Sequence, residues 1–305
     1  MHIETPLLRS TPMSHIAGCD VWLKMESSQP SGSFKMRGMG RAAETAVAAG
    51  ATRLVSSSGG NAGLAVACAG RILGVPVTVI VPRMTPAAMR ERIAAEGAEV
   101  QVHGQAWDDA HARAIEVAAQ GGALMHPFDH PDVWAGHSTL VHELMDEPDA
   151  VVVAVGGGGL LRGVLDGFTE RGWSPTVYAA ETLGTDSLAR ALEAGEPVDR
   201  GGIEGIALTL GARQVAEGCR TRAAEWGVRS LRVTDLATVR ACERFADDHR
   251  VLVEPACGAA LACVYDGLVG PHSSILVVVC GGAAATRADL ARWRAHSEQM
   301  EETSC

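Results

Sequence analysis

Lysine and aromatic residues are scarce in this sequence, and long apolar runs are absent. Only Lys24 and Lys35 are lysines, while the other strongly basic side chains are all arginine. A reaction that needs a primary amine on a side chain therefore has two candidates. No apolar stretch approaches the roughly 20 residues that cross a bilayer, and the N-terminus lacks the basic and apolar regions of a signal peptide. We therefore expect a cytoplasmic protein with no membrane partner.

Two further absences concern partners and metals. The formal net charge is −10 and no run of Lys or Arg offsets it locally, which argues against nucleic acid as a partner. Eight cysteines are present without any Cys-x-x-Cys pair, so neither a zinc site nor a disulfide framework is indicated. We expect reduced and mostly buried thiols. They are Cys19, Cys68, Cys219, Cys242, Cys257, Cys263, Cys280 and Cys305.

The sequence does contain short Val- and Ile-rich runs that alternate with stretches of helical period. The predicted strands are 53–56, 77–81, 99–102, 123–126, 150–155, 176–180, 229–233 and 275–280. The predicted helices between them include 62–73, 87–96, 107–119 and 236–248. Strands that are apolar on both faces are typical of parallel sheets covered by helices. A chain of 305 residues is long enough for about two such domains.

Three glycine-rich segments follow predicted strands, where the loops of parallel α/β folds carry the chemistry. They are SSSGGNAG at 56–63, VGGGGL at 155–160 and CGG at 280–282. In VGGGGL, glycine lets the backbone approach an anion, and the amides of the loop and the following helix point at it. A dinucleotide site needs G-x-G-x-x-G, but Leu161 and Arg162 occupy the third-glycine positions. The segment favours a monophosphate, with a tight turn as the purely structural alternative.

The segment SGSFKMRG at 31–38 places Lys35 directly after Phe34. Apolar surroundings lower the pKa of a lysine, and a free amine can form a Schiff base. Alone, this pattern is also typical of a surface lysine. Together with a monophosphate loop and so few lysines, it indicates pyridoxal 5′-phosphate as cofactor. In SSSGGNAG, the amides with Ser58 and Asn61 can hold a carboxylate, or they can form a plain N-capped helix start.

With these segments, VEPACGAAL at 253–261 and VVVCGG at 277–282, the sequence resembles the serine/threonine dehydratases of the fold-type-II pyridoxal-phosphate family. The likeness runs from TPLLRSTPMS to RADLARW, and it is nearest to the short, single-module serine dehydratases. It implies two doubly wound α/β domains with largely parallel sheets and the cofactor in the cleft between them, as in the tryptophan synthase β-subunit. Residues 1–34 and 130–305 would form the large cofactor-binding domain, and residues 35–129 the small substrate-side domain.

The resemblance also implies a role for each matching residue. Lys35 would hold the cofactor as a Schiff base and would act as the base for the substrate α-proton. The other implied cofactor contacts are Phe34 over the ring, Asn61 at the phenolic oxygen, Cys280 at the pyridine nitrogen, and Gly156, Gly157, Gly158, Gly159 and Leu160 at the phosphate. The implied contacts to the substrate carboxylate are Ser58, Gly59, Asn61 and Ala62. The implied ligands of a monovalent cation such as K⁺ are Gly156, Glu181, Thr185, Leu210 and Ala212.

Two of these positions bear on the type of reaction. A weak thiol at Cys280 leaves the pyridine nitrogen largely unprotonated, which favours elimination of a β-hydroxyl over transamination. Racemases of this fold place serine where this chain has Gly59, so we expect little racemisation. Many of the more active dehydratases have alanine there, and we therefore hypothesise modest turnover that a Gly59→Ala substitution would change.

The implied activity is dehydration of L-serine to pyruvate and ammonia, and of L-threonine to 2-oxobutanoate and ammonia, by a homodimer with a small-molecule substrate. The alternatives are β-replacement as in cysteine synthases, a catalytically silent pyridoxal-phosphate protein, and a dehydrogenase without this cofactor. The asparagine loop of cysteine synthases resembles T-S-G-N-T, whereas the corresponding segment of this chain is S-S-G-G-N-A. The retained Lys35 argues against a silent protein, and the preference between serine and threonine is left open.

Overall fold

The computed structural model describes residues 1–304, and helices alternate with strands along most of this length. The strands are β1 (Leu7–Arg9), β2 (Asp20–Lys24), β3 (Leu54–Ser56), β4 (Val77–Val81), β5 (Glu99–Val102), β6 (Ala123–Leu124), β7 (Ala150–Ala154), β8 (Thr176–Thr182), β9 (Arg229–Val233) and β10 (Ser274–Val278). The helices are α1 (Thr11–Ala17), α2 (Lys35–Ala48), α3 (Asn61–Leu73), α4 (Ala87–Ala95), α5 (Trp107–Ala118), α6 (Pro131–His142), α7 (Gly159–Arg171), α8 (Ser187–Ala194), α9 (Glu217–Trp226), α10 (Asp235–His249), α11 (Pro255–Tyr265) and α12 (Arg287–Ser304).

The strands of the described chain form two sheets. The larger sheet has six strands in the order β1–β2–β10–β7–β8–β9, and the smaller has four in the order β5–β4–β3–β6. All pairings between these ten strands are parallel except that of β1 with β2. The predicted fold class, α/β with two largely parallel sheets, is confirmed. The domain boundaries between residues 34 and 35 and between 129 and 130 stay a prediction.

Each predicted strand has a counterpart, with ends that differ by up to a few residues. Strands β1 and β2 were not predicted, because neither is an apolar run in the sequence. In β1 the side chains are largely exposed, and β2 begins with Asp20 and ends with Lys24. These two strands lie at one edge of the larger sheet, where a strand needs less apolar surface than it does in the centre.

A buried ionic network lies where α2 begins. Arg37 donates to both carboxylate oxygens of Glu26, at 2.7 and 2.8 Å, and to both of Glu143, at 2.6 and 2.7 Å. Lys24 also pairs with Glu143, at 2.6 Å. Two cations therefore face two carboxylates, and this pairing is what makes the burial of such charges tolerable. The network fixes the first turn of α2, two residues after Lys35.

Seven of the cysteines lie in the described chain as free thiols, and all except the half-buried Cys19 are buried. Cys305 lies outside the described residues. The expectation of mostly buried thiols is confirmed for these seven. Within residues 1–304 there is no group of three or more His, Cys, Asp or Glu side chains arranged for a metal ion. No helix in the same range is long and apolar enough to cross a membrane.

Candidate active site

The three glycine-rich segments meet at the carboxyl ends of strands from both sheets. SSSGGNAG follows β3 of the smaller sheet, whereas VGGGGL and CGG follow β7 and β10, which are neighbours in the larger sheet. A contact joins the two sides, since Asn61 Oδ1 accepts a hydrogen bond from the Ala283 amide at 3.0 Å. The cleft between these strand ends is the candidate active site.

Lys35, the first residue of α2, carries its amine to the edge of this cleft. Its Nζ donates to the Pro127 carbonyl oxygen at 2.5 Å and lies 5.1 Å from the ring centroid of Phe34. Loss of hydration on burial lowers the pKa of Lys35 to about 8, against a smaller opposing effect of Cys280. The other lysine, Lys24, is fully buried and ion-paired in the network described above. Lys35 is therefore the lysine that can supply a free amine near neutral pH.

Cys280 is held close to Lys35 through the backbone. The Phe34 amide donates to the Cys280 carbonyl oxygen at 3.1 Å, so the end of β10 abuts the start of α2. The Cys280 side chain is buried. A hydrogen bond with Cys257, burial and the nearby Glu254 raise the pKa of Cys280 well above its usual range. The side chain is consequently a neutral thiol near neutral pH.

The glycines at 156–159 are closely packed against neighbouring groups. A Cβ on Gly157 would lie 2.4 Å from the Phe128 ring, and Gly158 has a φ of +91°, which favours glycine. None of the amides at 156–160 donates to an acceptor within the described residues. Five unpartnered amides at the start of α7 form an anion cradle whose chemistry fits a phosphate.

Asn61, the first residue of α3, is held by groups from the opposite side of the cleft. Its Nδ2 donates to Glu254 at 2.9 Å, while its Oδ1 accepts from Ala283. Glu254 also accepts from Thr209 Oγ1 at 2.9 Å and from the Ala284 amide at 2.7 Å. Burial raises the pKa of Glu254, and the three donors oppose this shift. The amide orientation of Asn61 is thus fixed, and its second N–H is left for a ligand.

Glu254 and Pro127 are site residues that were not predicted from the sequence. Glu254 lies in VEPACGAAL, but an acid before a proline at a helix start is ordinarily read as a cap. Its side chain instead bonds to Asn61 across the cleft. Pro127 contributes a backbone carbonyl, for which a sequence carries no side-chain signal.

Phe34 rests on a buried histidine. The ring centroids of Phe34 and His137 are 5.0 Å apart at an interplanar angle of 52°. Neither ring nitrogen of His137 has a hydrogen-bond partner within residues 1–304. Burial lowers the pKa of His137 well below its usual range, so the ring is neutral. An uncharged support of this kind fixes the Phe34 ring next to Lys35.

The predicted contacts for a substrate carboxylate lie in the loop before α3 and in its first turn. Ser58 Oγ accepts from the Gly60 amide at 3.3 Å. The amides of Gly59, Asn61 and Ala62 donate to no acceptor in the described chain. Unpartnered amides at a helix start attract an anion, which matches the predicted use of this segment.

The predicted cation ligands lie beyond the glycine run. A Cβ on Gly156 would lie 2.6 Å from the carbonyl oxygen of Leu210, so these two positions are in contact. Thr185 is fully buried and bonds through its hydroxyl to Thr182 Oγ1 at 2.8 Å. Ala212 is nearly buried two residues after Leu210.

Glu181 is the only carboxylate among these predicted ligands. Its oxygens accept from the amides of Leu188 and Ala189 at 2.8 and 2.9 Å, and from Ser230 Oγ at 3.0 Å. Burial raises the pKa of Glu181 to about 7. Protein donors thus already satisfy this carboxylate, and its role toward a cation stays a prediction.

The chain is similar to known proteins over nearly its full length. Residues 1–281 match the family described as "Pyridoxal-phosphate dependent enzyme". The protein "Serine dehydratase-like" of Mus musculus is 46% identical over 297 residues, covering 92% of this chain and 90% of that protein. The "L-serine dehydratase/L-threonine deaminase" of Homo sapiens is 41% identical over 321 residues, covering 100% and 97%. The solved structure of an L-serine ammonia-lyase from Rhizomucor miehei matches with a TM-score of 0.92 at 34% identity, covering 97% of this chain and 99% of that one.

Proposed function

Since the chain belongs to the pyridoxal-phosphate-dependent enzyme family, we propose that it eliminates water from L-serine to give pyruvate and ammonia. L-Threonine would give 2-oxobutanoate and ammonia in the same way. The observation that carries the proposal is the Lys35 amine, whose pKa is lowered to about 8. It donates to Pro127, and the next residue, Phe128, packs against the glycine run whose amides are unpartnered. The names of the human and fungal relatives, a serine dehydratase/threonine deaminase and a serine ammonia-lyase, support the same activity.

The residues of the cleft fit pyridoxal 5′-phosphate. Lys35 would hold its aldehyde, Phe34 its ring face, Cys280 its ring nitrogen, Asn61 its phenolic oxygen, and the amides at 156–160 its phosphate. When bound, this cofactor withdraws electrons from the α-carbon of an amino acid, which acidifies the α-proton and prepares loss of the β-hydroxyl.

Lys35 is proposed to remove the α-proton. A general base works best when its pKa lies near the operating pH, and the pKa of about 8 meets this condition where an ordinary lysine does not. The Pro127 carbonyl oxygen accepts a hydrogen bond from the Lys35 amine. This bond restrains the direction of the lone pair on the amine nitrogen. Proximity and orientation of this kind account for a large part of enzymatic rate enhancement.

The substrate carboxylate is proposed to bind at the start of α3, to Ser58, Gly59, Asn61 and Ala62. The unpartnered amides at the start of α3 supply donors, and the positive end of the helix dipole favours the negative charge. Binding at this point fixes the amino acid at one end, so that its α-carbon is presented to the cleft.

The neutral thiol of Cys280 bears on the outcome of the reaction. An ionised carboxylate opposite a ring nitrogen stabilises its protonated form, whereas a neutral thiol is a weak donor and acceptor. A pyridine ring whose nitrogen stays unprotonated withdraws electron density less strongly, which disfavours amino-group transfer at the α-carbon. We therefore expect elimination to predominate over amino-group transfer.

Three finer features belong to the same proposal. A monovalent cation such as K⁺ would be held near Gly156, Glu181, Thr185, Leu210 and Ala212. Residues 1–34 and 130–305 would form the large domain, and residues 35–129 the small one. The protein would act as a homodimer.

Product analysis tests the proposed activity. The cofactor-loaded protein should convert L-serine to pyruvate and ammonia in equal amounts, without added sulfide. The β-replacement alternative instead requires cysteine formation from O-acetylserine and sulfide. Cysteine formation without pyruvate from serine, or no turnover of serine at all, would refute the proposal.

A further inference from the structure

Thr85 lies in the loop between β4 and α4, directly against Gly59. Since β3 and β4 are parallel neighbours, their carboxyl ends share one edge of the smaller sheet. A Cβ on Gly59 would lie 2.6 Å from Thr85 Oγ1 and 2.7 Å from its Cγ2. Thr85 therefore occupies the space that a side chain at position 59 would need. Because Gly59 has no side chain, Thr85 can pack directly against its backbone.

Thr85 is nearly buried, and its hydroxyl has no protein partner. The residue is 9% exposed, and its amide donates to the Pro82 carbonyl oxygen at 3.0 Å. Its Oγ1 forms no hydrogen bond within residues 1–304, and this atom remains accessible to solvent. The hydroxyl is therefore free to donate a hydrogen bond to a ligand, and a charged acceptor would be a stronger partner for it than water.

The surface next to this hydroxyl is already suited to an anion. The amides of Gly59, Asn61 and Ala62 are unpartnered in the described chain, and α3 behind them is 13 residues long. Backbone amides recognise any anion of suitable size. A side-chain hydroxyl beside them adds a short, charge-assisted hydrogen bond to a carboxylate oxygen.

We propose that Thr85 is a further substrate-binding residue, whose Oγ1 donates a hydrogen bond to the α-carboxylate of the amino acid at the start of α3. This inference rests on the proposed function, because it takes an amino acid as the ligand. It adds to the loop amides a side-chain group that comes from a different strand–helix connection.

Two matched probes isolate the carboxylate contact. L-Alanine lacks a β-hydroxyl and cannot be dehydrated, and L-alaninamide lacks the carboxylate as well. Binding of each to the cofactor-loaded protein is measured from the change in visible absorbance. Thr85→Val keeps the shape and removes the hydroxyl, and Thr85→Ser keeps the hydroxyl. Thr52→Val, at an exposed position in the bend before β3, is the control.

The proposal predicts that Thr85→Val weakens L-alanine binding about tenfold, the size of one hydrogen bond to a charged group. L-Alaninamide binding should change little, and Thr85→Ser and Thr52→Val should bind both probes like the unmodified protein. Equal weakening of both probes, or unchanged binding of L-alanine, would overturn the proposal. A melting curve of each variant shows whether it is folded, and Thr85→Ser stays informative if Thr85→Val is not.

Gly59→Ala tests the contact between the two residues independently. Its methyl group requires the Thr85 side chain to rotate, so L-alanine binding should weaken about threefold, a fraction of one hydrogen bond. In a Thr85→Ala background the methyl group has room, and the same substitution should have little effect. Equal effects in both backgrounds would show that the hydroxyl is not displaced and would contradict the inference.

The two proposals fail in different ways. If the affinity for L-alanine depends on Thr85 but L-serine yields no pyruvate, the proposed carboxylate contact is supported and the proposed dehydratase activity is refuted. If pyruvate forms at the same rate and the same KM in Thr85→Val, the activity stands and the carboxylate contact does not.

Discussion

Asn61 and Glu254 join the two sides of the cleft through a hydrogen bond of 2.9 Å. Asn61 starts a helix of the smaller sheet, and Glu254 directly precedes α11, which packs on the larger sheet. The carboxylate orients the amide that is proposed to contact the cofactor. It also forms a fixed point between the two sheets, since Thr209 and Ala284 hold it from its own side.

Glu254→Ala should weaken cofactor binding about tenfold or more, because a hydrogen bond to a charged group contributes about 1.5–3 kcal/mol. The Asn61 amide would lose its acceptor and rotate. Titration of the cofactor-free protein with pyridoxal phosphate, followed by tryptophan fluorescence, measures the affinity. Glu91→Ala, at an exposed position of α4, is the control and should bind normally. Unchanged affinity in Glu254→Ala would show that the bond does not position Asn61.

The pKa of Lys35 sets the pH at which its amine reacts with an aldehyde. Because burial lowers this pKa to about 8, the free-amine fraction rises with pH through that value. The rate at which cofactor-free protein combines with pyridoxal phosphate should therefore reach half its maximum near pH 8. Nα-Acetyl-lysine, with a pKa of about 10.4, is the reference compound. A midpoint shared with this reference would mean that the cleft does not depress the pKa.

The ionic network behind α2 should be sensitive to loss of one charge. Arg37→Met removes the ion pair of Glu26 and leaves Glu143 with Lys24 alone, and breaking a buried pair costs about 3–5 kcal/mol. Urea unfolding of the cofactor-free variant measures the loss of unfolding free energy. Arg41→Met, at an exposed position of the same helix, should change it by no more than about 0.5 kcal/mol. Similar values for the two variants would contradict the assigned importance of the network.

The proposed cation site predicts an ion-specific effect on stability. A cation that binds only the folded protein adds about 2.7 kcal/mol at a concentration of 100 times its dissociation constant. KCl should therefore raise the melting temperature above that in choline chloride of equal ionic strength. Glu181→Gln should remove this difference, because the carboxylate is the charged group among the proposed ligands. Equal melting temperatures for the unmodified protein in the two salts would argue against a cation site.

The site residues that could be predicted from the sequence are those whose role depends on their own chemistry and that of adjacent residues. Lys35 stood out because it is one of two lysines and follows a Ser/Gly turn, and the glycine run at 156–159 stood out because such a run suits an anion. Pro127 and Glu254 contact Lys35 and Asn61 from 92 and 193 residues away, respectively. Thr85 meets Gly59 through a neighbouring strand. Such pairs depend on how the sheets pack, which periodicity and spacing do not encode.

The proposed linkage between Lys35 and the cofactor can be located directly, because the chain has only one competing lysine. Borohydride reduction of the cofactor-loaded protein makes an imine permanent, and peptide mass mapping then finds the modified residue. We predict a pyridoxyl group on Lys35 and none on Lys24, with loss of the visible absorbance band in Lys35→Ala. Modification at Lys24, or a Lys35→Ala protein that keeps the band and still forms pyruvate from L-serine, would contradict this prediction.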